Sequence, residues 1–214
     1  VYAARPRPLT QAFLLDRGSV AKPLEEVGPG TLSALSQLVS DLPPDTDQTR
    51  RVALADWITD ARNPLTNRVI VNRIWYFHFG TGIVNTPSDF GVMGDRPSHP
   101  ELLDWLAIWF AENGGSLKKL HRLIVTSETY QQSSQMNTKA FEADSANRLY
   151  WRMPLKRMDA ETLRDTLLAV ADNLRLEPRG GPSFVMQKKD NKGSYIYKAL
   201  DNDGPEVWRR AVYR

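Results

Sequence analysis

The chain has 214 residues, 41% of them apolar, with six Trp, 28 basic against 25 acidic side chains and no cysteine. That is enough apolar material for one large core, while the missing cysteines exclude disulfides, thiolate metal sites, a Cys nucleophile and c-type haem attachment within the chain. No apolar run reaches the roughly 18 uncharged residues of a membrane span, and the net charge of +3 is small.

Residues 1–47 read as an extended, Pro-rich lead-in, with Pro6, Pro8, Pro23, Pro29, Pro43 and Pro44 and no sustained helical period. Val stands at position 1 and no basic-then-apolar leader follows, so the chain is expected to be a processed or excised piece. Val52, Leu54, Ala55, Trp57 and Ile58 then fit one amphipathic helix over residues 48–59. Asn63-Pro64 reads as a cap followed by a proline with no N–H to leave unbonded. The helix it opens is expected to stop at Gly80 and to be buried on most sides. Residues 80–97 form a long loop, of a kind uncommon without function or specific packing.

Ser98 and Glu101 have the spacing of a capping box for a helix that should bury Leu102, Leu103, Trp105, Leu106, Trp109 and Phe110. Ser116 should cap the next helix, with Leu117, Leu120, His121 and Ile124 as its stripe. Residues 131–145 read as irregular, and 147–153 as extended. Asp159 should cap a helix over 160–174 with Leu163, Leu167, Val170 and Leu174 inward. In the tail, Tyr195-Ile196-Tyr197 and residues 207–213 flank Asp201-Asn202-Asp203-Gly204, which predicts a β-hairpin, its second strand unfinished at Arg214. The architecture expected is mainly α: a compact helical bundle body over 48–178, the lead-in, and a short C-terminal β-hairpin over 179–214, a single domain in all.

The three histidines, His78, His99 and His121, lack any two-ligand spacing on one helix. No metal site is expected, and His121 reads as a hydrogen-bonded core imidazole. A site joining His78 and His99 across the loop is the sharper alternative. Glu161 and Asp165 stand i,i+4 on one helix, the residue type glycoside cleavage uses in pairs; an Arg–carboxylate brace through Arg148, Arg152 or Arg157 is the plainer reading. Asp89 and Glu101 could flank a cleft at the long loop. The catalytic candidates are therefore Glu161, Asp165, Asp89, His99 and Glu101. No nucleophile elbow or phosphate loop occurs, and Val212 replaces the Glu a calcium loop needs.

The polar residues on the central helix, Asn67, Arg68, Asn72 and Arg73, are the least expected feature, because buried amides and guanidiniums must be paired. With Arg157 and Arg164 they are read as structural braces or ligand contacts, and bracing of the loop through Asp89 is the expectation. Residues 148–214 hold 14 basic and 9 acidic side chains. Arg152, Lys156 and Arg157 cluster without the aromatic stripe of a nucleic-acid binder, so a solvated face outranks contact with an anionic polymer.

Taken together, Asn63-Pro64-Leu65-Thr66, Val71-Asn72-Arg73-Ile74-Trp75, Phe79-Gly80-Thr81-Gly82, Asp89-Phe90-Gly91, Pro97-Ser98-His99-Pro100-Glu101, Leu120-His121-Arg122, Arg164-Asp165 and Gly180-Gly181-Pro182-Ser183 resemble a planctomycete family. It is domain of unknown function fifteen fifty-three, the C-terminal part of large secreted proteins. The likeness covers most of the chain; Ser145-Ala146 departs from the Asp-Pro usual there. The resemblance implies an exported protein, periplasmic or extracellular, fused to a cytochrome-c-like haem domain and a second uncharacterised domain. Any haem then belongs to the fused domain, and no cofactor is expected in this chain. It also implies that the sequence continues past Arg214, and it supplies no catalytic residue. The function expected is a binding or assembly module whose partners are other domains of the same polypeptide, with a glycan as a further candidate and no nucleic acid or membrane span. The alternative is a hydrolase acting on polysaccharide through paired carboxylates near the 80–97 loop.

Overall fold

A computed structural model describes residues 9–35, 37–38, 46–176, 187–189, 197–199, 204–205 and 207–213. The chain is mainly α and divides into two compact units, Val1–Pro154 and Leu155–Arg214. The border drawn from sequence at 178/179 lies outside the described residues, and the last long helix clusters with the C-terminal segment.

In the first unit, β1 (Ala12–Leu15) and β2 (Pro23–Val27) pair antiparallel, Ala12 opposite Val27 and Leu15 opposite Pro23. Within the described part of the lead-in, these two segments are extended and paired, with 3₁₀ turns at Asp16–Gly18 and Ser33–Leu35. Nearly all the strand side chains are exposed, so the backbone ladder forms without the apolar alternation that would have announced it. Helix α1 (Asp47–Thr59) opens with Thr46 and Thr49 each accepting the other's backbone N–H at 3.1 Å, a capping box. Val52, Leu54 and Ile58 on it are exposed.

Asn63 makes the corner between α1 and α2 (Pro64–Phe79). Its Oδ1 accepts Leu65 N–H at 3.0 Å, and its Nδ2 donates to the Trp57 carbonyl at 3.0 Å. Thr66 Oγ1 adds a bond to the Ile58 carbonyl at 2.6 Å. Gly80, left-handed at φ 81°, ends α2. One face of α2, carrying Val71, Asn72, Trp75 and Phe79, is buried, whereas Tyr76 and Phe77 are exposed. Full burial is thus limited to this face, with half-buried residues such as Ile70, Ile74 and His78 beside it.

Helix α3 (Pro100–Glu112) buries Leu103, Leu106, Ala107 and Phe110, but Trp105 is 51% exposed, against expectation. The capping box at its start does not form: His99 is the cap residue and its side chain makes no capping bond. Ser98 is committed to the preceding loop, its N–H and hydroxyl both donating to the Ile83 carbonyl at 2.9 and 3.2 Å. Ser116 caps α4 (Leu117–Val125), which buries Leu120 and Ile124. Short helices α5 (Glu128–Gln131) and α6 (Thr138–Ala143) occupy part of the stretch read as irregular. Residues 147–153, expected to be extended, turn tightly, with Asn147 and Tyr150 left-handed at φ 53° and 54°. The Asn147 side chain holds that turn through Arg152 N–H and carbonyl. These elements enclose one core in which Val71, Phe79, Ile83, Leu106, Leu120 and Ile124 are almost wholly buried, each side chain contributing about 1.5–3 kcal/mol.

In the second unit, Asp159 caps α7 (Ala160–Val170) by accepting Thr162 N–H at 2.7 Å. The helix ends four residues before Leu174, with Asp172 left-handed at φ 56°. Leu163, Leu167 and Val170 are exposed, Leu167 by 63%, so the predicted inward stripe is overturned: α7 engages residues 207–211 through polar side chains instead. Strands β3 (Gln187–Lys189) and β4 (Tyr197–Ala199) pair antiparallel. A hairpin therefore exists, but residues 207–213, expected as its second strand, form a turn, a parallel bridge between Arg209 and Arg175, and a 3₁₀ turn Ala211–Tyr213. Tyr195, Ile196 and residues 201–203 lie outside the described residues.

Candidate functional site

Of the polar residues on α2, Asn72 is the deepest, with no exposed surface. Its Oδ1 accepts Val84 N–H at 2.8 Å and its Nδ2 donates to the Val84 carbonyl at 2.9 Å. One amide side chain thereby replaces a strand partner for Val84 and satisfies groups that would otherwise be buried unpaired. Gly82 lies against this pair: a Cβ there would stand 2.3 Å from the Val84 carbonyl oxygen and 2.8 Å from Asn72 Oδ1. With Ser98 bonded back to Ile83, both ends of the 80–97 loop are fastened to the core.

Arg68 donates Nε to Asp104 at 2.7 Å and Nη1 to the Pro64 carbonyl at 2.6 Å, joining α2 to α3. Beside this ion pair is a groove of about 220 Å³, lined by Asn63, Pro64, Asn67, Arg68, Asp104 and Glu112 among others. Arg73 is exposed. Trp75 Nε1 donates to the Tyr150 hydroxyl at 2.8 Å, and that hydroxyl reaches the Thr81 carbonyl at 3.3 Å.

The histidines pair differently from the expectation. His78 Nε2 and His121 Nδ1 are 2.8 Å apart, with Tyr130 edge-on to His78. His121 is exposed, so it is hydrogen-bonded but no core imidazole. His99 instead bonds the Ser98 hydroxyl through Nδ1 at 2.9 Å and lies near the Tyr150 ring.

Among the carboxylates, Asp89 turns inward on its own loop: Oδ1 accepts Gly91 N–H at 2.8 Å. The contact that holds this loop to α2 thus runs through Val84, where the sequence pointed to Asp89. Thr86 Oγ1 donates to the Asp89 carbonyl at 2.7 Å and accepts Asp95 N–H at 2.9 Å. Gly94 N–H closes a turn onto the Gly91 carbonyl at 3.1 Å. A Cβ on Gly94 would stand 2.2 Å from the Asp89 carbonyl oxygen. This frame presents Val92 and Met93 at 103% and 89% exposure. Glu101 is exposed in the first turn of α3, where a negative charge suits the helix N-terminus.

On α7, Arg164 donates to the Arg209 carbonyl at 2.9 Å and to the Val207 carbonyl. Asp165 Oδ1 accepts Ala211 N–H at 2.8 Å, with Arg164 at 3.5 Å and Arg210 at 3.8 Å. The partners are these C-terminal groups rather than Arg148, Arg152 or Arg157. Glu161 and Arg157 are exposed. Arg152 lies over the Trp151 ring at 4.9 Å. Two carboxyls elsewhere are held below their ordinary value: Asp60, lowered to about 2 chiefly by the Arg62 side-chain hydrogen bond, and Asp159, lowered chiefly by Thr162 N–H. Among the described residues, no group of three or more His, Asp or Glu is placed to hold a metal. No helix there is long and apolar enough to cross a membrane.

A family described as PSD1, protein of unknown function (DUF1553), matches residues 50–214. The chain belongs to this family. Among curated proteins and among solved structures, nothing matches it. Within this DUF1553 chain, sequence reasoning passed over Tyr150, the His78–His121 pair and the tip at Val92-Met93. Only the tip left a local sign, two apolar residues between glycines; the others join segments far apart in the chain.

Proposed function

We propose that this DUF1553 chain is a binding or assembly module within a larger exported polypeptide, its partners being that polypeptide's other domains. The observation that carries the reading is the internal use of its polar side chains. Asn72 is spent on Val84, Arg68 on Asp104 and Pro64, and Arg164 with Asp165 on residues 207–211. A general acid or base has to be within reach of a substrate proton, whereas Asp165 already accepts a backbone N–H and has two Arg side chains beside it. Beside exposed charges such as Arg73, Glu101 and Glu161, the chain offers its surroundings exposed apolar side chains: Val92, Met93, Trp105, Leu163 and Leu167. Export, and any haem on a neighbouring domain, rest on the family resemblance.

The test uses the complete polypeptide with a protease site inserted ahead of residue 1. After cleavage, the two parts should co-elute on size exclusion. Separation of the parts, together with polysaccharide turnover that Glu161→Gln abolishes, would replace this reading with the hydrolase.

A further inference from the structure

We infer that the turn at residues 91–94 is a docking knuckle that inserts Val92 and Met93 into an apolar pocket, rimmed by Lys or Arg, on another protein domain. The inference rests on the assembly reading and names its contact surface. Single exposed apolar side chains are ordinary on a protein surface. Here two consecutive ones stand almost entirely in water, and the backbone beneath them is held in place. Thr86 bridges Asp89 and Asp95, Asp89 bonds Gly91, Gly94 bonds Gly91, and Gly94 has no room for a side chain. The base of the loop is fixed in turn by Asn72 and Ser98. None of these bonds uses the Val92 or Met93 side chain.

A contact element fixed before binding loses little conformational freedom on binding, and an apolar anchor entering a pocket is the usual centre of a protein interface. Met adds an unbranched, polarisable chain that adapts to irregular pockets. Charge selects the partner. Between residues 81 and 95 the only charged side chains are Asp89 and Asp95, one on each side of the tip, with Arg96 just beyond. Anionic lipid surfaces attract basic segments, so an acidic-flanked tip is matched to a protein rim that carries cations.

The complete polypeptide, with the photo-crosslinking residue p-benzoylphenylalanine at position 92, is irradiated and its adducts are mapped by mass spectrometry. A second sample carries the probe at position 170, an equally bare apolar site on α7. The expected result is an adduct from position 92 to an apolar site beside Lys or Arg in another domain. Adducts from 170 alone, or from neither position, would overturn the knuckle; the assembly reading would stand or fall separately, on whether the cleaved parts co-elute. Adducts from 92 to lipid or to a second copy would also overturn it. In a companion measurement the probe sits at position 88, an exposed and uncharged place on the same loop, and Val92→Ser with Met93→Ser should cut adduct yield roughly tenfold or more at unchanged melting temperature. Undiminished yield would overturn the knuckle.

Discussion

Replacing Asn72 by Ala removes two hydrogen bonds at once and leaves the Val84 N–H and carbonyl without partners in a fully buried place. Each orphaned group costs about 1–3 kcal/mol, and the small space left by the amide cannot be refilled, so a loss of about 2–5 kcal/mol is expected. At roughly 2–4 °C per kcal/mol for a domain of this size, the melting temperature should fall by about 4–20 °C, read by circular dichroism or calorimetry. Asn72→Asp should be at least as damaging, because a carboxylate cannot donate to the Val84 carbonyl and would carry charge into the core. Hydrogen exchange should then rise first at Ile83, Val84 and Ser98, before the α3–α4 core opens. A melting temperature within about 2 °C of the parent would refute the reasoning, since it would mean that Val84 finds other partners or that the loop is not fastened there.

Gly82→Ala attacks the same junction from the other side: backbone oxygen at 2.3 Å cannot yield as a flexible side chain would, and a drop in melting temperature comparable to that of Asn72→Ala is expected. Tyr150→Phe leaves the buried Trp75 indole N–H unbonded, costing about 1–3 kcal/mol with a shift in near-ultraviolet circular dichroism; an unchanged melt would mean that the Trp75–Tyr150 bond contributes nothing to stability. Asp165→Ala frees Ala211 N–H and should make residues 207–213 the first site of limited proteolysis while unit Val1–Pro154 stays resistant. Asp60 titrates in the folded chain at about 2 against an ordinary 3.8. Its contribution is therefore complete above about pH 4 and is lost as pH falls through about 2. Carbon-detected NMR should show that low midpoint, and Arg62→Ala should return it towards 3.8.

Local chemistry was legible where it is settled within a few residues. Asn63-Pro64, Gly80, Ser116 and Asp159 mark helix ends in the string and do so in the fold, because the capping bond itself spans no more than one turn. Ser98 shows the limit of that rule: its spacing to Glu101 is right, yet a carbonyl fifteen residues earlier takes the hydroxyl. Burial was legible in part for α3 and α4, where Trp105, Leu117 and His121 are exposed against the expectation, and not for α7, whose apolar spacing matches theirs while its packing runs through Arg164 and Asp165. Periodicity reports which face is apolar, not whether anything covers it. The lead-in hairpin was hidden for the opposite reason, since backbone pairing with exposed side chains leaves no pattern. At the candidate site, the buried amide on α2 was visible as an anomaly, but its partner was not, because Val84 lies twelve positions on, beyond the end of the helix.

The division of labour inside the 80–97 loop has a consequence for how such a chain can change. Shape is carried by Thr86, Asp89, Gly91 and Gly94, and the two residues between the last pair hold nothing up. New side chains can be exchanged at positions 92 and 93 with little effect on folding, so what the loop recognises is separable from whether it stands. A library randomised at those two positions alone should remain folded throughout while sampling many partner surfaces, which makes this loop a ready place to graft a new binding specificity.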